Sequence, residues 1–124
     1  MARRTIGWLL DDGEREALLA QFPPHWPDVV AHHVTLASAT EAPLPVATAG
    51  TVVGQVDDGE GLQALVVAIG GTPDRPDGST YHITWSLDRA QGRRAVQSND
   101  VLRDRGWTRL ADPIPIKLTP SDLS

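Results

Sequence analysis

Two short segments of the sequence each pair a histidine with a threonine. Residues 33–36 (HVTL) and 82–85 (HITW) share the form His, apolar, Thr, apolar, and their histidines stand 49 positions apart. An imidazole exchanges protons near neutral pH, and a hydroxyl group can donate a hydrogen bond to an anion. Each segment therefore offers an acid or base and an anion-binding group two positions apart.

Alternation along a β-strand would place His33 and Thr35 on one face of one strand, and His82 and Thr84 on one face of another. If the two strands lie close together, two imidazoles and two hydroxyls converge in a way that suits attack at phosphorus. One histidine, when neutral, would take a proton from the attacking water, and the other, when protonated, would give a proton to the leaving oxygen. The sequence does not indicate which histidine has which role. The threonines would bind the non-bridging oxygens, without a metal or cofactor. Alternatively, His33 and His82 lie on polar, exposed strand faces, and threonine is present only because it favours β-strands.

The elements around these segments predict an α+β domain with a mainly antiparallel sheet. A helix is expected over 11–22, stopped by two prolines, and residues 57–61 (DDGEG) predict a hairpin turn. A second, short helix is expected to be capped by Asn99 and closed by Gly106. Strands are predicted over 5–10, 29–37, 51–56, 62–69 and 80–87, with a last strand in which Ile114, Ile116 and Leu118 face one way. Tyr81, Ile83 and Trp85 are expected to face the core.

The two segments resemble the repeated motif of the two-histidine phosphoesterase superfamily, the LigT-like and cyclic phosphodiesterase-like proteins. The resemblance extends to the strand and helix before the first motif, the hairpin between the motifs, and residues 97–100 (QSND) with the short helix after the second. It implies a bilobal, pseudo-symmetric fold around a central cleft, and activity on 2′,3′-cyclic phosphates or 2′-5′ linkages at RNA or nucleotide ends. It also implies that His33 and His82 are catalytic and that Thr35 and Thr84 bind phosphate. The chain is shorter than most such enzymes and looks like a short, RNA-repair-type member.

Four residues outside the motifs are further candidates for substrate contacts. Arg93 and Arg94 follow the second motif and are expected to contact phosphate, with Arg103 behind them. Trp26 lies in a proline-rich segment and is the best candidate for stacking on a base.

The other two histidines are expected to lie outside the site. His32 should point to the opposite strand face from His33, and His25 is interpreted as a loop residue. No carboxylate has metal-ligand spacing to either motif, so no metal site is predicted.

Composition limits the remaining possibilities. The 124 residues suit a single domain, 1–124, and the absence of cysteine excludes a disulfide scaffold and a thiolate metal site. The net charge of −5 favours a small nucleotide or a strand end over a long polyanion. The apolar run 6–10 is too short for a signal core or a membrane span, so a cytoplasmic protein without membrane contact is expected.

Three classes of function thus stay open: a phosphoesterase acting on RNA ends or small nucleotides, a non-catalytic module that binds the same ligands, and an interaction domain whose motifs are accidental. The sequence does not indicate an oligomeric state.

Overall fold

The computed structural model describes residues 3–124 as a seven-stranded antiparallel sheet with two α-helices. This confirms the α+β prediction. The strands are β1 Arg4–Leu10, β2 Asp28–Val29, β3 His33–Thr40, β4 Ala49–Asp57, β5 Leu62–Ala68, β6 His82–Leu87 and β7 Thr108–Asp122. The helices are α1 Asp12–Gln21 and α2 Ser98–Arg105, with 3-10 turns at Arg89–Gln91 and Ala95–Gln97. Within residues 3–124, no helix is both long and apolar enough to cross a membrane.

The sheet curls, so that strands from its two ends meet. The strand order is β2-β6-β5-β4-β7-β1-β3, which places β3 at one edge and β6 next to the other edge. Nevertheless β3 and β6 lie against each other. Each half of the sheet thus supplies one of the two motif strands, in agreement with the predicted pseudo-symmetric arrangement.

The single strand predicted over 29–37 is wrong, because the chain changes its pairing partner at Ala31. The backbone N–H groups of Val30 and Ala31 donate to carbonyls of β6, whereas the carbonyl of His32 accepts from Leu10 at the end of β1. Ala31 makes this change with a φ of +46°, a conformation that residues other than glycine seldom adopt. Arg15 of α1 donates from Nε to the Ala31 carbonyl at 2.8 Å and so fixes the crossing.

The main core lies on one face of the sheet and contains the residues predicted to face inward. Trp8, Tyr81, Ile83 and Trp85 are buried there, together with Leu18 of α1. The Asp11 side chain accepts from the Glu14 N–H and caps α1, as expected for an acidic residue before a helix. Ile116 and Leu118 of β7 are also in this core, and partly buried Ile114 packs against it, which confirms their common orientation.

The opposite face of β6 is polar but buried. His82, Thr84 and Ser86 are all at most 9% exposed. The hydroxyl of Thr84 contacts that of Ser98 at 2.8 Å, at the beginning of α2. Helix α2 ends at Gly106, as predicted, and packs Val101 and Leu102 against apolar clusters that include β5 residues. The polar side of the second motif is therefore covered by the segment that leads into α2.

Candidate active site

Both His/Thr pairs line one cavity of about 240 Å³. His33 and Thr35 reach it from β3, and His82 and Thr84 reach it from β6. Alternation places these four side chains opposite to the core residues Val34 and Ile83 of the same strands. The curl of the sheet then brings the two polar faces together, so the four residues selected from the sequence share one site.

His82 is held in a defined orientation by the backbone. Its Nδ1 lies 2.8 Å from the carbonyl oxygen of Thr80. A carbonyl only accepts hydrogen bonds, so Nδ1 carries the proton and Nε2 keeps its lone pair when the ring is neutral. Burial lowers the pKa of His82; the Thr80 hydrogen bond partly opposes this, and the charges of Arg75 and His33 lower the pKa further. The ring is therefore a neutral acceptor at neutral pH.

His33 has a different partner, the imidazole of His32. The two Nδ1 atoms lie 3.1 Å apart and the rings are nearly perpendicular, at 80°. Burial lowers the pKa of His33, and a positive charge on His32 lowers it further. The prediction that His32 points away from His33 is wrong, because β3 begins only at His33 and the turn at Ala31 interrupts the alternation.

The two threonine hydroxyls differ in their surroundings. Thr84 is 7% exposed, and its Oγ1 contacts Ser98 Oγ at 2.8 Å and lies 3.4 Å from the Ala95 carbonyl oxygen. Thr35 is half-buried and lines the same cavity. A hydroxyl donates only one hydrogen bond, so Thr84 can donate into the cavity only when Ser98 donates to Thr84 and the Thr84 proton leaves the Ala95 carbonyl.

Arg75 also lines this cavity, although the motifs gave no reason to select it. Its guanidinium donates to Ser79 Oγ at 2.5 Å, to the Thr35 carbonyl at 3.3 Å and to Asn99 Oδ1 at 2.9 Å. Arg75 therefore connects the loop before β6 to both β3 and α2. The only sequence signal was its position, as the first basic residue after Arg15 and shortly before the second motif.

Asn99 has a different role from the predicted helix cap. Helix α2 already begins at Ser98, and the Asn99 side chain accepts from Arg75 while its Nδ2 donates to the Val96 carbonyl at 3.1 Å. Asn99 therefore supports the cavity rather than the end of the helix.

The four predicted substrate contacts outside the motifs do not line the cavity. Arg93 forms an ion pair with Asp58, whose side chain is only 1% exposed. Arg94 is exposed, and its backbone N–H donates to Gln97. Trp26 is half-buried, with its indole Nε1 buried away from any hydrogen-bond partner among the described residues. Arg103 is exposed and paired with Asp100 and Asp104.

His25 lies in a separate, larger groove of about 550 Å³ that it shares with Asp57 and Trp107. Its Nδ1 contacts the Asp57 carboxylate at 2.5 Å. Across residues 3–124, no three His, Asp or Glu side chains are grouped closely enough to hold a metal ion.

No family model matches the chain, and no significant match is found to a curated protein or to a solved structure.

Proposed function

We propose that this protein is a metal-independent phosphoesterase that hydrolyses 2′,3′-cyclic phosphates or 2′-5′ linkages at RNA or nucleotide ends. The observation that carries the proposal is the convergence of both His/Thr pairs on one small cavity. Two imidazoles and two hydroxyls around a volume of about 240 Å³ provide two proton-transfer groups and two anion contacts for one phosphate. The resemblance of the two motifs to the two-histidine phosphoesterases supports the same chemistry.

His82 is proposed as the general base. Because Nδ1 donates to the Thr80 carbonyl, Nε2 is the nitrogen that can accept a proton from water. Burial and the nearby positive charge of Arg75 lower the pKa of His82, which keeps the ring unprotonated at neutral pH. As the water oxygen attacks phosphorus, its proton passes to Nε2.

His33 is proposed as the general acid. The bond from phosphorus to one ribose oxygen breaks as the water oxygen adds, and His33 supplies a proton to that leaving oxygen. Burial and a positive charge on His32 lower the pKa of His33, whereas the negative charge of a bound phosphate would favour its protonated form. Substrate binding is therefore expected to raise the pKa of His33 and to favour the protonated form that acts as the acid.

The proposal is tested by incubating the purified protein, with excess chelator, with 2′,3′-cyclic nucleotides and an oligonucleotide ending in a 2′,3′-cyclic phosphate. His33→Ala and His82→Ala are compared with the wild type. Loss of general acid or base catalysis is expected to slow ring opening by about 10²- to 10⁴-fold in each variant. His25→Ala, which changes a histidine of the other groove, is the matched control and should retain activity.

Two results would contradict the proposal. Opening at the wild-type rate by either cavity variant would exclude paired histidine catalysis. If the folded wild-type protein binds cyclic nucleotides but opens none of these substrates, the alternative of a non-catalytic binding module for nucleotides or RNA ends is favoured instead.

A further inference from the structure

Arg75 is a deeply buried cation that has no close carboxylate partner within residues 3–124. Its side chain is 9% exposed, and the Asp77 carboxylate oxygen nearest to its Nε lies 3.8 Å away. Asp77 is itself 65% exposed, and the same oxygen already accepts from the N–H and the hydroxyl of Ser79. Removing a guanidinium from water is costly unless hydrogen bonds or an opposite charge compensate. Asp77 therefore neutralises Arg75 only weakly.

The protein also leaves part of the guanidinium unused. A guanidinium has five N–H groups that can donate hydrogen bonds. In Arg75, Nε donates to Ser79, one terminal nitrogen donates to the Thr35 carbonyl and the other donates to Asn99. One N–H on each terminal nitrogen therefore has no partner among residues 3–124. Two N–H groups on the two terminal nitrogens are what a guanidinium uses to bind two oxygens of a phosphate.

A short turn holds this arginine in place. The Arg75 N–H donates to the Ser79 carbonyl, and its carbonyl accepts from the Gly78 N–H. Gly78 has a φ of +89°, which favours glycine at this position of the turn. The turn leads directly into β6, so it fixes Arg75 relative to His82. A long side chain ordered by this many contacts loses little further freedom on binding a ligand.

We propose that Arg75 is the anion anchor of the cavity and binds the non-bridging oxygens of a substrate phosphate between His33 and His82. This inference rests on the proposed function for the identity of the anion. It replaces Arg93 and Arg94 as the cationic phosphate contact, because Arg75 lines the cavity and they do not. Anion binding through Arg75 and the two threonine hydroxyls does not require the imidazoles, so it should persist when both histidines are removed.

The test is calorimetric titration of the full chain with inorganic phosphate at low ionic strength. Arg75→Gln is expected to weaken binding about 10- to 100-fold, the range for loss of hydrogen bonds from a charged group. Arg75→Lys keeps the charge but loses the paired donors, so its affinity for phosphate should lie between those of the wild type and Arg75→Gln. Arg109→Gln is the matched control: it removes the same charge from an exposed residue that stacks on Trp107 outside the cavity.

Two further variants separate this inference from stability and from catalysis. Asn99→Ala leaves the guanidinium intact but removes one of the groups that hold it, so it should weaken phosphate binding. This variant keeps the inference testable if Arg75→Gln fails to fold. The double variant His33→Ala/His82→Ala should still bind both inorganic phosphate and a 2′,3′-cyclic nucleotide.

The inference is overturned if the wild type shows no saturable phosphate binding, if folded Arg75→Lys and Asn99→Ala bind like the wild type, or if Arg109→Gln loses as much affinity as Arg75→Gln. Phosphate binding through Arg75 without ring opening would support the anchor and reject the hydrolase. Ring opening at the wild-type rate by Arg75→Gln would reject the anchor alone.

Discussion

Replacing Gly7 by alanine should move one half of the site away from the other. Gly7 of β1 pairs with Thr35 of β3, and an added Cβ would lie 2.1 Å from the Val34 carbonyl oxygen. It would also lie 3.0 Å from the Thr35 Cα and from the Leu36 nitrogen. All three are backbone atoms, so no side chain can turn aside. Restoring ordinary contact requires β3 to shift by about 1.3 Å, which carries His33 with it.

The size of the effect follows from this displacement. Overpacking of this kind costs about 1–3 kcal/mol in the free energy of unfolding. A misplacement of about 1 Å can reduce catalysis by about 10²-fold. We therefore expect Gly7→Ala to lower both the urea midpoint and the rate of cyclic phosphate opening, and to change the NMR signals of His33 more than those of His82.

Gly13→Ala is the matched control. Among residues 3–124, its Cβ would meet only a carboxylate oxygen of Asp11, at 3.3 Å, and alanine is favoured over glycine in a helix. The reasoning is refuted if Gly7→Ala keeps the wild-type urea midpoint and leaves the His33 signals unchanged.

Three further predictions concern ion pairs and titration. Arg93→Ala should lower the free energy of unfolding in urea by about 3 kcal/mol, because buried Asp58 loses its partner; an unchanged midpoint would contradict this. His32→Ala should raise the pKa of His33 in an NMR titration, because the charge on His32 lowers it; an equal or lower pKa would be inconsistent with that contact. The folded-state pKa of His82 is lowered, so its contribution to stability is present above about pH 6.5 and is lost as the pH falls through the folded-state pKa. Urea denaturation across this range should show a flatter pH dependence for His82→Gln, and an identical slope would contradict the assignment.

Local patterns predicted the orientation of the second motif correctly. Alternation alone separates His82 and Thr84 from Ile83 and Trp85, and the structure places the latter pair in the main core. The hairpin could also be predicted from the sequence, because residues 57–61 combine acidic residues and glycines between two apolar runs. The structure confirms it: β4 ends at Asp57 and β5 begins at Leu62.

The parts that could not be predicted depend on contacts between distant segments. The strand pattern over 29–37 continues through Ala31, although the chain changes partner there, because periodicity records which residues are apolar and not which strand they pair with. For the same reason, the contact between His32 and His33 could not be predicted from the alternation of residues along the strand.

The arginine that lines the cavity could be identified only from the tertiary structure. Arg93 and Arg94 were plausible from their position after the motif, but Asp58 in the hairpin is the partner of Arg93. Arg75 enters the cavity because Asn99 and the Thr35 carbonyl, 24 and 40 positions away, accept its hydrogen bonds.

One measurement tests most directly whether His33 and His82 act on the same phosphate. The rate of 2′,3′-cyclic phosphate opening is determined for the wild type, His33→Ala, His82→Ala and the double variant under identical conditions. Residues that act together in one step give non-additive losses. The double variant should therefore be no slower than the slower single variant. A double-variant loss equal to the product of the two single losses would show that the histidines act independently and would contradict the shared site.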